Sequence, residues 1–557
     1  RSFTGMKVND VVAAILKKEG VEWVSCFPSN ALIEAVSEVG IRPIMFRHER
    51  GVVMSADGYS RMNTREQFGV AITQGHAGAE NALGGIAQAY SDNIPILYLS
   101  GGPSMSAYSV KPNFSPAREY GSVSVSAEVI YQPDLVVDVM RRAFHALRNG
   151  RSGPAIVEIP DDVGEMDVPE GTFDLYVSPK RHKFVPQHSD IKEAVKILLG
   201  AAKPVIWSGK GVLMSQASEE LRELAELTEI PVYCTMPGKS GFDQKHPLAL
   251  GSGSAATSLQ ARTWIQDSDV LLAIGSSLTK TLYGQPIPDG KVIIQSVETV
   301  EDINKEYSVT VGLPGDAKLT LQALIDEVKS QIGNDGRKGQ TDTADQIKEL
   351  NEKWLSQWNE ILTSDEKPIN YYRVIHELEN TLDKNNSIVT HDAGAPRDTI
   401  MPFYNPTLPN SYIGWGKSTH LGYGIPLMIG AKMASPNKFC LNFMGDGAFG
   451  MSGLDIETSV RAGVPITTIV LNNGGMATYP GKTRDTGAYP NALKTFGTTK
   501  VSGSYAKIAE GMGAVGITVT EPSDISKALK EAQQLNAKGK TVLIDIHVNL
   551  EPRRSIF

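Results

Sequence analysis

Short apolar runs alternate with longer stretches of helical periodicity in three parts of the chain. Between residues 6 and 169 the strand-like runs include VEWVSCF, FGVAIT and IPILYLSG. The alternation returns over residues 190–335, with PVIWSG, PVYCT and VLLAIGSS, and over residues 365–550, with FCLNFMGDG, TTIVLNNGG and VLIDIHV. Strands this apolar suit parallel sheets that are covered by helices on both faces. The pattern therefore predicts an α/β protein of three doubly wound domains with mainly parallel sheets.

Two polar stretches lack this periodicity and separate the three predicted domains. Residues 168–190 contain prolines and charges of both signs, and residues 333–346 are polar and rich in glycine. Both compositions are typical of linkers. The first and third domains are similar in length and pattern, which favours a duplicated α/β unit.

Composition excludes several classes of function. The 557 residues carry a net charge of −8, and no basic stripe is visible, so a nucleic-acid partner is not expected. The cysteines Cys26, Cys234 and Cys440 are far apart, which predicts free thiols in a reducing compartment and therefore a cytoplasmic protein. No apolar run reaches the roughly 18 residues of a membrane span.

Two polar clusters lie where strands of the third domain should end. Gly445, Asp446 and Gly447 follow FCLNFM, and an Asn-Asn-Gly-Gly run that includes Asn473 follows TTIVL. Ligands of doubly wound sheets bind beyond the carboxyl ends of the strands. Carboxylate and amide oxygens beside a diphosphate suit octahedral Mg²⁺. Two unrelated turns are the alternative, but the pairing of both clusters favours a metal–diphosphate site.

These clusters resemble the signature of thiamine-diphosphate (ThDP)-dependent enzymes. Nearly the whole chain is similar to the acetolactate synthase, pyruvate oxidase and 2-hydroxyacyl-CoA lyase group, with pyrimidine-binding (6–169), central (190–335) and diphosphate-binding (365–550) domains. The resemblance implies that Mg²⁺ is held by Asp446, Asn473 and the carbonyl of Gly475. It also implies that the amides of Gly447 and Ala448 bind the diphosphate.

Three further segments resemble the same family. RHERGVVMSADGYSR places Glu49 at the position of the family's glutamate, whose carboxyl faces the aminopyrimidine and promotes deprotonation of thiazolium C2. HLGYGIPLMIGAK places Leu421 at the apolar wedge below the cofactor, with its amide and the Thr419 carbonyl at the pyrimidine edge; an ordinary core position for Leu421 stays open. HDAGAPRD places Gly394 and Ala395 at the far diphosphate, although the family's Gln-His pair is absent there.

Departures from the family bear on the substrate. Ser277 and Thr281 stand where acetolactate synthases usually carry arginine, and Ser115 replaces the glutamine of their FQE segment. These differences argue against a true acetolactate synthase. They also leave FAD or ADP in the central domain open, with FAD not favoured.

The substrate pocket has several sequence candidates. Tyr479 replaces the acidic residue of pyruvate decarboxylases and Asn30 replaces their aspartate, so a simple decarboxylase proton relay is not supported. His76 is a catalytic candidate, because a neutral imidazole can protonate or orient a carbonyl substrate; a loop histidine bonded to backbone is the alternative. The remaining candidates are Ser29 and Gln74 for the substrate and Met476 for the cofactor and pocket wall.

The leading hypothesis is a ThDP- and Mg²⁺-dependent carboligase or lyase that makes or breaks a C–C bond next to a carbonyl. The donor is expected to be a 2-ketoacid or a 2-hydroxyacyl compound. One alternative is a 2-hydroxyacyl-CoA lyase or an enzyme similar to oxalyl-CoA decarboxylase, for which Arg553 and Arg554 are weak CoA candidates. A non-catalytic regulatory or binding protein is the second. The resemblance further implies a site between two chains, and therefore a homodimer at minimum and a homotetramer as the expected state.

Overall fold

The computed structural model describes residues 5–478 and 487–557. Its first parallel sheet is built from strands β1–β6, in the spatial order β2-β1-β3-β4-β6-β5. These strands are β1 Trp23–Cys26, β2 Arg42–Met45, β3 Gly69–Thr73, β4 Ile96–Gly102, β5 Ser126–Val129 and β6 Ala155–Pro160. The helices of this part are α1 Val8–Lys18, α2 Leu32–Glu38, α3 Glu49–Arg61, α4 Ala77–Ser91, α5 Pro116–Glu119, α6 Val136–Arg148 and α7 Asp161–Gly164.

The second parallel sheet contains strands β7–β12. They are β7 Pro204–Ser208, β8 Val232–Thr235, β9 Ala249–Gly253, β10 Val270–Ile274, β11 Val292–Val297 and β12 Val311–Pro314. The order β12-β11-β10-β7-β8-β9 is that of a dinucleotide-binding doubly wound sheet. The accompanying helices are α8 His188–Gly200, α9 Lys210–Met214, α10 Ser218–Thr228, α11 Leu259–Asp267, α12 Ala317–Ile332 and α13 Thr343–Leu362. Helix α13 begins inside the predicted linker 333–346, which is therefore shorter than the sequence suggested.

The third parallel sheet contains strands β13–β18, in the order β14-β13-β15-β16-β18-β17. They are β13 Ser387–His391, β14 Tyr412–Ile413, β15 Phe439–Gly445, β16 Thr467–Asn472, β17 Val515–Val519 and β18 Val542–His547. The helices are α14 Tyr371–Thr381, α15 Ala395–Phe403, α16 Gly424–Ala434, α17 Asp446–Ser452, α18 Asp455–Ala462, α19 Pro490–Phe496, α20 Tyr505–Gly511 and α21 Ile525–Ala537.

The predicted fold class is confirmed, because every paired strand in the three six-stranded sheets runs parallel to its neighbours. The first and third sheets share one strand order, which agrees with the interpretation of a duplicated unit. The central strands are buried along their length, as their apolar sequences require.

Contacts between residues divide the chain into two compact units. The first unit is Arg1–His182, Ser418–Pro436 and Ser452–Pro465, and the second is Lys183–Lys417, Asn437–Met451 and Ile466–Phe557. Helices α16 and α18 thus belong by contact to the first unit, although they lie in the third predicted domain. The predicted boundaries 6–169, 190–335 and 365–550 enclose one sheet each and remain a prediction.

Within the first unit, two glycines allow helices α3 and α16 to touch backbone to backbone. A Cβ on Gly58 would lie 2.0 Å from the carbonyl oxygen of Leu427, and one on Gly430 would lie 1.9 Å from that of Ser55. Any side chain at either position would separate the helices. The crossing fixes α3, which begins at Glu49, against the segment that contains Leu421.

Among residues 5–478 and 487–557, no helix is both long enough and apolar enough to cross a membrane.

Candidate active site

Three neighbouring strands of the third sheet carry the predicted metal and diphosphate residues at their carboxyl ends. Strand β15 lies between β13 and β16. The chain leaves β13 towards Gly394 and Ala395, leaves β15 at Asp446, and leaves β16 at Asn473. Because parallel strands end at one edge of the sheet, these residues, all in the second unit, are brought to the same edge.

Asp446 is a buried carboxyl at the start of helix α17. Its Oδ1 accepts a hydrogen bond of 2.8 Å from the amide of Gly447, and its Oδ2 accepts one of 2.8 Å from the amide of Gly474. Burial raises the pKa of Asp446 to about 6, and hydrogen bonds from backbone amides partly offset that rise. The bond to Gly474 joins the two polar clusters that the sequence singled out.

Asn473 is held by groups on both sides of its amide. Its Oδ1 accepts a hydrogen bond of 3.0 Å from the amide of Gly475, and its Nδ2 donates to the hydroxyl of Tyr371. Tyr371 is buried at the start of helix α14, and burial raises the pKa of its hydroxyl. Tyr371 was not among the sequence candidates, since nothing in its local sequence links it to a residue 102 positions away.

Position 447 favours glycine, because a Cβ there would lie 2.9 Å from Cγ of Met476. The Met476 side chain therefore covers the backbone of the Gly-Asp-Gly turn while remaining partly exposed. The Gly447 amide, predicted to bind the diphosphate, donates to Asp446 in this structure. Ala448 is buried in the first turn of α17.

The oxygen groups at this edge fit a magnesium ion held jointly with a diphosphate. Among the described residues no group of three or more His, Cys, Asp or Glu side chains is placed to bind a metal. A metal here would therefore take one carboxylate, one amide oxygen, carbonyls and ligand oxygens, which is a hard-oxygen set. Asp446 provides a buried carboxylate whose hydrogen-bond donors are backbone amides, so its charge is available to a cation.

Gly394 and Ala395 form the N-terminal end of helix α15. Gly394 has φ of +85°, a conformation that favours glycine, and a Cβ there would meet nothing within 4 Å. The preceding strand ends at His391, whose ring nitrogens contact the Tyr412 hydroxyl at 2.8 Å and the Trp415 carbonyl at 2.9 Å. The start of α15 thus offers backbone amides beside open space, as the predicted diphosphate position needs.

In the first unit, Glu49 is a buried carboxyl at the first position of helix α3. Its Oε2 accepts a hydrogen bond of 3.0 Å from Nδ2 of Asn81, on helix α4. The neighbouring Arg50 donates to the carbonyl of Leu421 at 2.6 Å. The predicted catalytic glutamate and the predicted wedge segment are therefore neighbours in the first unit. Asn81, which binds the predicted catalytic carboxyl, was not among the sequence candidates.

The segment that contains Thr419 and Leu421 is held by buried side chains of helices α3 and α4. The amide of His420 donates to Oε1 of Gln88 at 3.2 Å, and the hydroxyl of Tyr423 donates to Asp57 at 2.5 Å. Thr419 has φ of +57°, and Leu421 keeps an exposed side chain. Burial, and then the charge of Arg50, lower the pKa of His420. An exposed Leu421 is compatible with the wedge position and not with the alternative of ordinary core.

Two substrate candidates are engaged in structural hydrogen bonds. Asn30 donates to the carbonyl of Thr73 at 2.8 Å and accepts from the amide of Leu32 at 3.0 Å. Ser115 is buried and donates to Glu158 at 2.6 Å. The pKa of Glu158 is raised by burial, and its hydrogen bonds offset only part of that rise. Both residues remain predictions as substrate contacts.

His76 stands out among the substrate candidates by its backbone. It is exposed, at the start of helix α4, with φ of +49° and ψ of −120°, a region that residues with a side chain rarely occupy. Strain of this kind is found where function requires it. Gln74 is partly buried beside Gly78, and Ser29 is exposed with φ of +73°. Tyr479 lies outside the described residues.

Two loops of the central domain meet at glycines because there is no room for a side chain at their contact. A Cβ on Gly275, after β10, would lie 2.7 Å from Cα of Gly211, so these glycines serve contact between loops. Ser277 contacts Thr279 at 2.9 Å, and Thr281 accepts from the amide of Tyr283 at 3.2 Å. The positions that replace the family's arginines are thus occupied with local turn contacts, and a nucleotide in this domain stays an open proposal.

Three family models match the chain, one in each of the three sheet-containing regions. The N-terminal thiamine pyrophosphate-binding domain matches residues 6–119, the central domain of thiamine pyrophosphate enzymes matches 191–324, and their C-terminal thiamine pyrophosphate-binding domain matches 392–546. The chain belongs to the thiamine pyrophosphate enzymes. Thiamine pyrophosphate is ThDP, so the predicted family is confirmed, and the chain is an enzyme of this family.

Relatives of this thiamine pyrophosphate enzyme are similar over nearly their whole length. A probable acetolactate synthase large subunit of Methanococcus aeolicus is 28% identical, with 93% of this chain and 88% of the relative covered. The acetolactate synthase large subunit of Haemophilus influenzae is 29% identical, and the isozyme 3 large subunit of Escherichia coli is 26% identical; both matches cover 97% of this chain and 94% of the relative. The chain is therefore similar over nearly its whole length to acetolactate synthase large subunits, and these names give no support to the expectation that it is not a true acetolactate synthase.

Proposed function

We propose that this enzyme is a ThDP- and Mg²⁺-dependent carboligase that takes a 2-ketoacid as donor and joins it to a carbonyl acceptor. The observation that carries the proposal is the meeting of Asp446 and Asn473 at adjacent strand ends within a matched C-terminal ThDP-binding domain. The names of the relatives support a 2-ketoacid donor. A second 2-ketoacid as acceptor is included, since the relatives carry the name acetolactate synthase.

Glu49 acts on the pyrimidine end of the cofactor in this proposal. ThDP supplies a carbon nucleophile at thiazolium C2 when it is bound. The Glu49 carboxyl would exchange a proton with the aminopyrimidine nitrogen of the bound cofactor. The hydrogen bond from Asn81 to Oε2 fixes the carboxyl in one orientation. The carbonyl of Leu421 accepts a hydrogen bond from Arg50, and its exposed side chain would pack against the bound cofactor.

The diphosphate end is held by the edge of the third sheet. Asp446, Asn473 and the carbonyl of Gly475 would hold Mg²⁺, and the amides of Gly447, Ala448, Gly394 and Ala395 would bind phosphate oxygens. Met476 packs against Gly447 of the Gly-Asp-Gly turn. The alternative of an acyl-CoA substrate is weaker, because Arg553 pairs with Glu551 at 2.7 Å and Arg554 donates to the Glu551 carbonyl at 2.7 Å.

The proposal includes an assembly of like chains. The resemblance to the family implies Glu49 from one chain and the metal cluster from another, so we propose a homodimer at minimum and a homotetramer as the complete state. FAD is not included as a required cofactor.

A donor panel tests the proposal. The enzyme, loaded with ThDP and Mg²⁺, is mixed with pyruvate, 2-ketobutyrate, or a 2-hydroxyacyl-CoA, quenched in acid, and the cofactor and products are identified by NMR. We expect carbon from the 2-ketoacids on the cofactor and a 2-hydroxyketone among the products, both absent with Glu49→Gln. Reaction with the CoA thioester alone would replace the proposal by an acyl-CoA lyase. Cofactor binding without reaction of any donor would identify a non-catalytic protein.

A further inference from the structure

Lys239 is a buried lysine for which the proposed reaction has no use. It lies in the loop after β8 and is 1% exposed. Its Nζ donates to Oγ of Ser252 at 2.8 Å and to the carbonyl of Met401 at 2.8 Å, and it lies 5.1 Å from the ring centre of Tyr412. A buried ammonium with neutral hydrogen-bond partners is costly, so the position calls for an explanation.

The charged and titratable groups around Lys239 come from three parts of the second unit. Glu379, on α14, and Cys234, on β8, raise the pKa of Lys239, whereas Lys384, after α14, lowers it. Burial is the largest effect, and it lowers the pKa of Lys239 to about 7. Glu379 is already bonded to Lys384 and to the amide of Asn405. The charge on Lys239 is therefore not neutralised by a carboxylate of its own.

The positive charge of Lys239 acts on the carbonyl of Met401. This carbonyl lies in the last turn of helix α15, where carbonyls lack an amide partner from the helix itself. The amide of Asn405, four residues on, donates to Glu379 instead. Lys239 thus places a positive charge on the C-terminal end of α15, the end that favours cations. Ser254 also reaches this helix, through a 2.7 Å hydrogen bond to Asp398.

The other end of α15 is Gly394 and Ala395. A helix of this length is a rigid rod of roughly 14 Å, so a clamp on its last turn sets the position of its first amides. Cations at the C-terminal end and anions at the N-terminal end are both favoured by the same alignment of peptide dipoles.

We propose that Lys239 is a positioning residue for the cofactor: its ammonium clamps the last turn of α15 and thereby holds the N-terminal amides of that helix in place for the diphosphate of ThDP. The inference rests on the proposed placement of the diphosphate at Gly394 and Ala395. It adds a role for the central domain, since that domain supplies Lys239, in the loop after β8, and Ser252, on β9. The clamp weakens when Lys239 loses its proton.

Replacement of Lys239 by methionine tests the clamp, because methionine keeps much of the volume and removes the charge. ThDP affinity is measured by quenching of tryptophan fluorescence, with saturating Mg²⁺, from pH 6.5 to pH 9. We expect Lys239→Met to bind ThDP about tenfold more weakly at pH 6.5. The ratio of the two dissociation constants should fall towards one at pH 9, where wild-type Lys239 is neutral. Titration of ThDP and of Asp446 occurs in both proteins and cancels in this ratio.

Two further variants separate the charge from the packing. Ser252→Ala removes one acceptor from the ammonium, which lowers the pKa of Lys239, so the loss of affinity should move to lower pH. Ser252→Asp adds a carboxylate beside Nζ, which raises the pKa of Lys239, and the loss of affinity should move to higher pH. The shift in the pH dependence of ThDP affinity in Ser252→Asp tests the inference even if Lys239→Met fails to fold.

The placement of the diphosphate has its own test. Ala395→Asp puts a carboxylate at the N-terminal end of α15 and should weaken ThDP binding at every pH. If Ala395→Asp binds ThDP as the wild type does, the placement and the inference both fail. If Ala395→Asp weakens binding while Lys239→Met matches the wild type throughout the pH range, the role of Lys239 alone is overturned.

Discussion

Glu49 and Asp446 are both buried carboxyls, and their different partners suit different tasks. Asp446 accepts hydrogen bonds from two backbone amides. These bonds fix the carboxylate without neutralising its charge, as a cation ligand requires. Glu49 accepts one side-chain amide, from Asn81, which leaves its carboxyl able to exchange a proton with a ring nitrogen. The contrast lies in the hydrogen-bond donors rather than in the depth of burial, since both side chains are inaccessible.

Glu49→Gln separates proton sharing from cofactor binding. The glutamine keeps the shape and can still accept from Asn81, but it cannot hold the exchangeable proton. We expect exchange of the ThDP C2 proton for deuterium to slow by at least about 100-fold, with ThDP affinity changed only a few-fold. Quenched-flow NMR measures the exchange rate, and fluorescence titration measures the affinity.

Glu34→Gln is the matched control, because Glu34 is an exposed glutamate of the same predicted domain. It should exchange the C2 proton at the wild-type rate. Normal exchange in Glu49→Gln would remove Glu49 from the mechanism.

Single residues were partly accessible from the sequence. The chemistry of Asp446, Asn473 and Glu49 was selected from residue type and motif, and the structure places the first two together. Asn81 and Tyr371 were missed because their function depends on contacts with residues distant in sequence. Ser115 remains a predicted substrate contact, and the structure adds its hydrogen bond to Glu158, a partner that no local pattern indicates.

At the scale of elements, the α3–α16 crossing brings the Glu49 helix to the Leu421 segment. The crossing depends on Gly58 and Gly430, where a Cβ would overlap a backbone carbonyl of the other helix. Two helices can approach this closely only where side chains are absent from the contact. The sequence showed both helices, but their mutual contact is a tertiary property.

Gly58→Ala should open this crossing. The added Cβ would lie 2.0 Å from the Leu427 carbonyl oxygen, so the helices must move apart. We expect the free energy of unfolding to fall by about 1–3 kcal/mol, measured by urea denaturation followed by circular dichroism.

Gly200→Ala is the control for the glycine itself. Gly200 ends helix α8, and a Cβ there would meet nothing within 4 Å. This change should leave stability within about 1 kcal/mol of the wild type. Equal stability of Gly58→Ala and Gly200→Ala would show that α3 and α16 do not need their close contact.

At the scale of the whole molecule, the proposed assembly makes two chains share each site. Glu49 belongs to the first contact-defined unit, and Asp446 to the second. If the site takes Glu49 from one chain and Asp446 from its partner, two different inactive variants can complement each other. A mixed dimer then holds one site with both residues intact and one site with neither.

Mixing Glu49→Gln with Asp446→Ala tests this arrangement. Equal amounts of the two variants, dissociated and reassembled together, give mixed dimers in half of the population, each with one intact site. We therefore expect recovery of about a quarter of the wild-type rate of donor consumption, from two preparations that are each inactive alone. Size-exclusion chromatography of the mixture verifies reassembly. No recovery from a reassembled mixture would show that each chain builds its own site.

The sequence by itself determined the fold class and, through its resemblance to ThDP-dependent enzymes, the family. Apolar strands alternating with helices indicate parallel sheets because such sheets are covered on both faces. The two polar clusters predict a metal–diphosphate edge because strand ends converge there. Only the tertiary structure showed that Asn81 donates a hydrogen bond to Glu49 and that Asn473 contacts Tyr371. It alone also showed that the buried Lys239 of the central domain donates to the last turn of α15. The physical reason is range: periodicity and turn chemistry act over a few residues, whereas these contacts join positions tens to more than a hundred residues apart.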